Sequence, residues 1–221
     1  MEDETVLILC EKPDAAMRVA KALDENEKPQ KKFLNKVPYY EATEKGRRLV
    51  IVPALGHLYT VAPKTKNRDL FPVFDFEWFP RYKVERQVKE TRTWIEAISQ
   101  LSQEALRFIL ATDYDIEGET IGYTILKYAC GGKDGEAQRM KFSTLTSEEL
   151  RKSYLELSPH IEFPMVEAGL CRHYLDAMYG INLSRALTTS AKSYSGKYAT
   201  LSIGRVQGPT LKFLVEREKE I

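Results

Sequence analysis

Short, wholly apolar runs alternate with stretches of helical periodicity along the first two-thirds of the chain. Residues 6–10 (VLILC), 49–53 (LVIVP) and 108–111 (FILA) carry no polar position, the pattern of strands buried on both faces. After the first run, Pro13 suits a first helical turn, and Ala15, Ala16, Val19, Ala20 and Leu23 follow at helical spacing. Residues 90–101 predict an amphipathic helix, and Ile121, Thr124, Ile125 and Tyr128 predict another beyond the third run. Residues 139–143 (RMKFS) predict a fourth strand. Thr146-Ser147-Glu148-Glu149 then carries a helix-start signature, for a helix reaching about Leu157. Four strand–helix alternations predict an α/β fold with a mainly parallel four-stranded sheet flanked by helices through right-handed crossovers.

The rest is less regular. Residues 24–48 are charged and proline-containing, and predict a loop with one irregular strand. Residues 63–84 hold many prolines and aromatics without clean period; a lid packed over the sheet is expected there, although aromatics interleaved with Lys and Arg also stack bases. Ser158-Pro159 and Phe163-Pro164 mark a boundary, so residues 1–160 and 161–221 are expected to form separate domains, the second mainly helical and incomplete. Within it, residues 166–187 predict a helix interrupted at Gly180. Residues 188–200 are rich in Ser, Thr, Lys and Tyr, and a loop at 202–209 leads to a last helix from Thr210.

The candidate chemistry lies where apolar strands end. The run ILATDYDIEGET at 109–120 places Asp113, Asp115, Glu117 and Glu119 at every second position between a buried strand and a helix. That places carboxylates at the carboxyl edge of a parallel sheet, where open α/β folds put their sites. Two carboxylates a few ångströms apart repel by about 1 to 4 kcal/mol. A hard divalent cation such as Mg²⁺ removes the repulsion. A solvated helix N-terminus, where acids favour the dipole, explains Glu117 and Glu119 equally well, but not Asp113 and Asp115. Gly118 is the expected tight point of the turn. Glu11-Lys12 ends the first strand on the same edge, as either a surface pair of little weight or part of the site. His57, just past the second strand, is either a structural histidine or a third group at that edge. Lys192, Lys197, Arg205 and Gln207, in small-residue surroundings, read as phosphate contacts or as a solvated linker.

Composition narrows the partners. The chain has 221 residues, 43% hydrophobic and 29% charged, with net charge +1, so a nucleic-acid surface requires local segregation of charge. Three widely spaced cysteines form no CxxC pair, which argues against a zinc site or disulfide framework and fits a reducing, cytoplasmic setting. No apolar run approaches 18 residues, so membrane insertion is not expected.

Several stretches together resemble the type IA DNA topoisomerases, in the form found in archaeal topoisomerases I/III. EKPDAA at 11–16 resembles the opening of a Toprim domain, a Rossmann-like fold, and DYDIEGE at 113–119 its acidic motif. GHLY at 56–59, PVFDFEW at 72–78, YGINLSRALT at 179–188 and GRVQGPTL at 204–211 resemble further family blocks in the family's order. The acidic motif is shared with primases and Toprim nucleases, whereas the last two blocks are far more specific. The resemblance implies Mg²⁺-dependent breakage and rejoining of single-stranded DNA through a 5′-phosphotyrosine. It implies that Glu11 acts as acid at the scissile phosphate and Lys12 steadies phosphate charge. Asp113, Asp115 and Glu117 would bind Mg²⁺; Arg205, Gln207 and Arg185, with Lys192 and His57, would face DNA. The enzyme is expected to act as a monomer without a membrane partner.

Two departures matter. CRHY at 171–174 does not match the block expected before YG, so no DNA contact is carried onto Arg172 or His173. The family's nucleophile sits in a Tyr-x-Arg context, which none of the 12 tyrosines has, and the chain ends within charged residues 216–220. The expectation is an amino-terminal fragment with the acid and metal half of the site and its tyrosine beyond Ile221. A Toprim nuclease or primase, a non-catalytic DNA-binding module, and the topoisomerase half of a reverse gyrase are the alternatives; the start at Met1 speaks against the last.

Overall fold

The computed structural model describes residues 4–197 and 199–221; the start at Met1 and Tyr198 of the Ser/Thr-rich stretch lie outside the described residues. The chain divides into two compact units, residues 1–60 with 80–169, and residues 61–79 with 170–221.

The first unit is built on β1 (Thr5–Cys10), whose six residues are all buried. It pairs in parallel with β4 (Arg47–Pro53) on one side and β7 (Arg107–Ala111) on the other. Each fully buried Val, Leu or Ile here contributes about 1.5–3 kcal/mol, which is why the apolar runs become the centre of the sheet. Helix α1 (Pro13–Leu23) buries Ala15, Ala16, Val19, Ala20 and Leu23, the expected stripe, against that sheet. The full sheet has six strands, in the order β2 (Gln30–Leu34), β3 (Val37–Glu44), β4, β1, β7, β8 (Gln138–Arg139). Its four parallel strands are the four anticipated ones, so the α/β class and mainly parallel sheet hold.

Several local expectations are corrected. Residues 24–48 are not a loop with one strand: β2 and β3 form an antiparallel hairpin closed by Asn35 and Lys36, at φ 50° and 72°. Two left-handed residues make the tight hairpin turn whose twist matches its strands, but the usual Asn-Gly signal is absent because Lys fills the second place. Asp24 anchors the hairpin's base, its carboxylate accepting from the backbone N–H groups of Asn26 (3.0 Å), Lys28 (2.9 Å) and Thr43 (3.0 Å). Burial raises the Asp24 carboxyl, but the N–H groups of Lys28, Thr43 and Asn26 outweigh it and hold it below its ordinary value. The strand expected at 139–143 shrinks to β8, because β7, its partner, ends at Ala111 and the chain turns there towards Asp113.

Helix α3 (Thr91–Ser102) precedes β7, and α4 (Ile116–Tyr128) follows it with nine consecutive buried residues. Helix α5 (Ser147–Leu155) is capped by Thr146, whose hydroxyl accepts from the Glu149 N–H at 3.4 Å. Glu119, in α4, faces away from the acidic tip and pairs with Arg139 at 2.5 Å; both side chains are fully buried. Arg139 also donates to the carbonyls of Leu110 (3.1 Å), Met140 (2.7 Å) and Asp113 (3.0 Å). The second Glu119 oxygen accepts from the Glu162 N–H at 3.3 Å.

The second unit is organised by α6 (Phe163–Ser195), which begins in the first unit and runs unbroken through Gly180. A Cβ at Gly180 would meet only the Ile203 carbonyl oxygen at 3.7 Å, and one glycine costs a long helix about 1 kcal/mol, too little to break it. Residues 61–79 pack on this helix. Asn182 exchanges two 2.8 Å hydrogen bonds with the Val73 backbone, and the Trp78 ring lies 5.4 Å and 6.3 Å from those of His173 and Tyr174. The segment also contains most of the two-stranded sheet of β5 (Tyr59–Pro63) and β6 (Phe76–Pro80), joined to α3 by the single turn α2 (Arg81–Val84). The last helix, α7, is Gln207–Glu220 and starts earlier than expected, because Pro209 falls in its first turn where no N–H is required.

Replacing one partner of the buried pair should expose the cost of the other: Arg139→Met is expected to destabilise the first unit by about 3–5 kcal/mol in urea melts, and Arg139→Met/Glu119→Leu to recover much of it. Asp24 stabilises above the unfolded carboxyl range and loses that contribution as pH falls through its lower folded value. Asp24→Asn should therefore flatten the acid limb of a stability–pH profile below about pH 4, measured by chemical denaturation.

Candidate active site at the carboxyl edge of the sheet

β1 and β7 are adjacent and parallel with Cys10 opposite Ala111, so the residues that follow them leave the sheet side by side. The backbone at Lys12 stays extended at φ −122°, ψ 151° before Pro13 starts α1, which directs the lysine along the edge. Its Nζ donates to Asp113 Oδ2 at 2.8 Å and lies 3.3 Å from Glu11 Oε1. One ammonium thus bridges an acid from each strand tip. The Asp113 carboxylate first, then Glu11, holds the Lys12 ammonium above its ordinary value. The Glu11 side chain is 16% exposed against 44% for Asp113, so the two acids meet different degrees of solvation.

Asp113 and Asp115 sit on a tight strand-to-helix turn. Asp115 caps α4, its Oδ1 accepting from the Gly118 N–H at 2.7 Å, while its own N–H donates to the Asp113 carbonyl at 3.0 Å. A Cβ on Gly118 would stand 2.1 Å from that carbonyl oxygen, so only glycine allows the approach. Thr112 secures the turn from below with a 2.9 Å bond to the Gly118 carbonyl. Glu117, in the first turn of α4, meets His57 with its Oε2 2.9 Å from Nε2. His57 sits between β4 and β5, and its carbonyl accepts from Arg81 at 3.3 Å.

The unit therefore gathers Glu11, Lys12 and Asp113 around one Nζ, with Asp115 and Glu117 on the adjoining turn and His57 on Glu117. The donor set suits a hard cation: Asp113, Asp115 and Glu117 are carboxylates from one turn, at least partly open to solvent, and Asp115 spends only one oxygen on its cap. The alternate spacing of four acids overstates the cluster. Residues 117 and 119 are about 200° apart on a helix, which sends Glu119 into the core. Arg139 was legible only as a strand residue, and its partner Glu119 only as a member of the acidic run.

The second unit carries the other candidates. Arg205 binds Asp176 of α6 with both ends of its guanidinium, at 2.6 and 3.2 Å. Gln207 is the first residue of α7 and exposed, on the helix and not in the expected loop. Arg185 donates to the Leu70 carbonyl at 2.6 Å, and with Lys192, Arg68 and Ser184 it lines a cavity of about 520 Å³. Lys197 lies just past α6, where its N–H donates to Ser195 Oγ at 3.2 Å.

Comparison with known proteins agrees with both parts. Residues 6–145 match the Toprim domain family, and residues 160–221 match a DNA topoisomerase family. The chain is 53% identical over 218 residues to DNA topoisomerase 1 of Pyrococcus horikoshii, matching 98% of this chain and 31% of the relative. It is 44% identical to the Methanocaldococcus jannaschii DNA topoisomerase 1 (98% and 28% covered). A putative DNA topoisomerase 3 of Staphylococcus aureus is 32% identical (97% and 28% covered). The chain spans less than a third of the length of these relatives. With its parallel sheet ending in the acidic turn at Asp113 and the match over 6–145, the chain belongs to the Toprim domain family and continues, from residue 160, into sequence of the DNA topoisomerase family.

Proposed function

We propose that the chain is the amino-terminal part of a type IA DNA topoisomerase, supplying the acid and metal half of a site that breaks and rejoins single-stranded DNA. Residues 1–160 serve as the Toprim domain and 161–221 as the start of the helical DNA-gripping domain. The observation that carries this reading is the Lys12 ammonium bridging Glu11 and Asp113 across two strand tips. An acid, a cation and a metal-type carboxylate within one side chain's reach suit the handling of a phosphodiester.

In the reaction, a tyrosine oxygen attacks phosphorus, a 5′-phosphotyrosine forms, and the 3′ oxygen leaves. Glu11 gives the leaving oxygen its proton, and takes it back on rejoining. Lys12 steadies the charge on the phosphate and is held ready by Asp113. Asp113, Asp115 and Glu117 would hold Mg²⁺, which when bound would supply positive charge to offset that of the phosphate. His57 orients Glu117 and faces the DNA. Arg185, Lys192, Arg205 and Gln207 grip the backbone; Arg205, already oriented by Asp176, keeps one guanidinium edge for a phosphate. The nucleophilic tyrosine is supplied outside these residues, since no Tyr-x-Arg occurs among them.

Two measurements test this. Mg²⁺ at 100 times its dissociation constant should stabilise the chain by about 2.7 kcal/mol, about 5–10 °C in a thermal melt. Asp113→Asn/Asp115→Asn should abolish the shift; a shift that survives the double substitution removes the metal assignment. Incubated with end-labelled single-stranded DNA and Mg²⁺, the chain should bind DNA without a covalent adduct on denaturing gels. An adduct would place the nucleophile within these residues, and free cut ends would instead mark a Toprim nuclease.

A further inference from the structure

The hairpin of β2 and β3 is not absorbed by the site just described. Strand β2 is the outer strand of the sheet, with no neighbour on its far side among the described residues. Residues 28–40 (KPQKKFLNKVPYY) hold four lysines and no acid, in a chain whose net charge is only +1. Lys32 is tied to Glu41 at 2.5 Å, whereas no ion pair among the described residues involves Lys28, Lys31 or Lys36. Phe33 is 64% exposed, an unusual place for a phenyl ring, and Lys31 on the same face holds its Nζ 5.5 Å from the ring centroid.

Strand register places this patch relative to the acidic tip. Tyr40 pairs with Ile51 and Ile51 with Ile8, so Val37, three residues nearer the turn, stands level with Glu11. Leu34 pairs with Val37 and Phe33 with Pro38, which brings Phe33, Asn35 and Lys36 to the same carboxyl edge as Lys12 and Asp113. Three strand spacings separate β2 from β1, about 14 Å. At the duplex rise, one nucleic-acid strand carries about four phosphates over that span. The stem is held in place: Val37 and Ala42 are buried, Tyr40 packs on the core, and Asp24 secures the base.

We propose that the β2–β3 hairpin is a second contact for single-stranded nucleic acid, in which Lys31 and Lys36 meet phosphates and Phe33 stacks on a base, flanking the Glu11–Lys12–Asp113 tip. Basic residues interleaved with an exposed aromatic ring are the combination that binds single strands without sequence preference. Addition of a protein strand to the open edge is the less favoured occupant, since edge lysines oppose it. The inference rests on the reading of the chain as a DNA-handling protein and extends its DNA path to the edge of the sheet.

The test is fluorescence anisotropy of the whole chain with a fluorescein-labelled oligothymidylate across a salt series. Lys31→Gln/Lys36→Gln should make the plot of log affinity against log salt shallower by about 1.4, two contacts at about 0.7 each. Phe33→Ala should lose about tenfold in affinity. All three side chains are exposed, so unchanged circular-dichroism melts are expected and exclude misfolding. Arg185→Gln, in the second unit, is the reference. If it weakens binding while the hairpin variants match the unchanged chain in affinity and slope, the hairpin inference fails and the DNA reading stands. If the unchanged chain does not bind the oligothymidylate, both fall. A dimer in sedimentation, dissociated by the hairpin substitutions, with DNA affinity unaffected by them, would assign the edge to strand pairing and overturn the proposal.

Discussion

A buried charge pair sets the shape of the acidic turn. Arg139 and Glu119 have no exposed side-chain surface, and taking two such charges from water costs several kcal/mol each. That cost is offset only if the remaining donors and acceptors are satisfied, and here they are met by backbone. Arg139 reaches the carbonyls of Leu110 and Asp113, before and at the turn, while Glu119 holds the N–H of Glu162. A hydrophobic pair could fill the same volume, but it could not hold those carbonyls. The pair thus joins the end of β7, the first turns of α4 and the end of β8, and the turn that carries the carboxylates is held by that joint.

Part of the charge at the tip is offset before any ligand is added. Lys12 lies among acids from two strands, which lets Glu11 and Asp113 approach each other without the repulsion that two bare carboxylates would feel. Asp115 and Glu117 are likewise engaged, one by the backbone of its own helix and one by His57. These contacts hold the arrangement in shape, while Asp113 and Asp115 remain at least partly exposed. In the second unit the same economy appears in Arg205, oriented by Asp176 with donors to spare.

The parallel strands were legible because the part of a strand buried on both faces has to be apolar, and residues 6–10 of β1, 49–53 of β4 and 108–111 of β7 are. Asp113, Asp115, Glu11 and Lys12 were legible because they stand where those runs stop. The hairpin was not: its turn uses Asn35-Lys36 without glycine, and β2 is an edge strand with mixed exposure and no clean alternation. Gly180 looked like a break, yet a single glycine costs less than a 33-residue helix can bear. Spacing alone also made Glu119 a fourth member of the acidic cluster. Its helical phase, and the arginine twenty residues later that receives it, appear only once α4 and β8 are placed together.

Gly118 gives the turn a further character. Because backbone meets backbone where a side chain would otherwise stand, the strand end and the helix start cannot be drawn apart or pressed together by repacking neighbours. The spacing of the backbone positions that bear the carboxylates is therefore set by the main chain, not by the packing of neighbouring side chains. Exchanging a side chain at this tip would change which group is presented while the main-chain spacing that carries it stays the same.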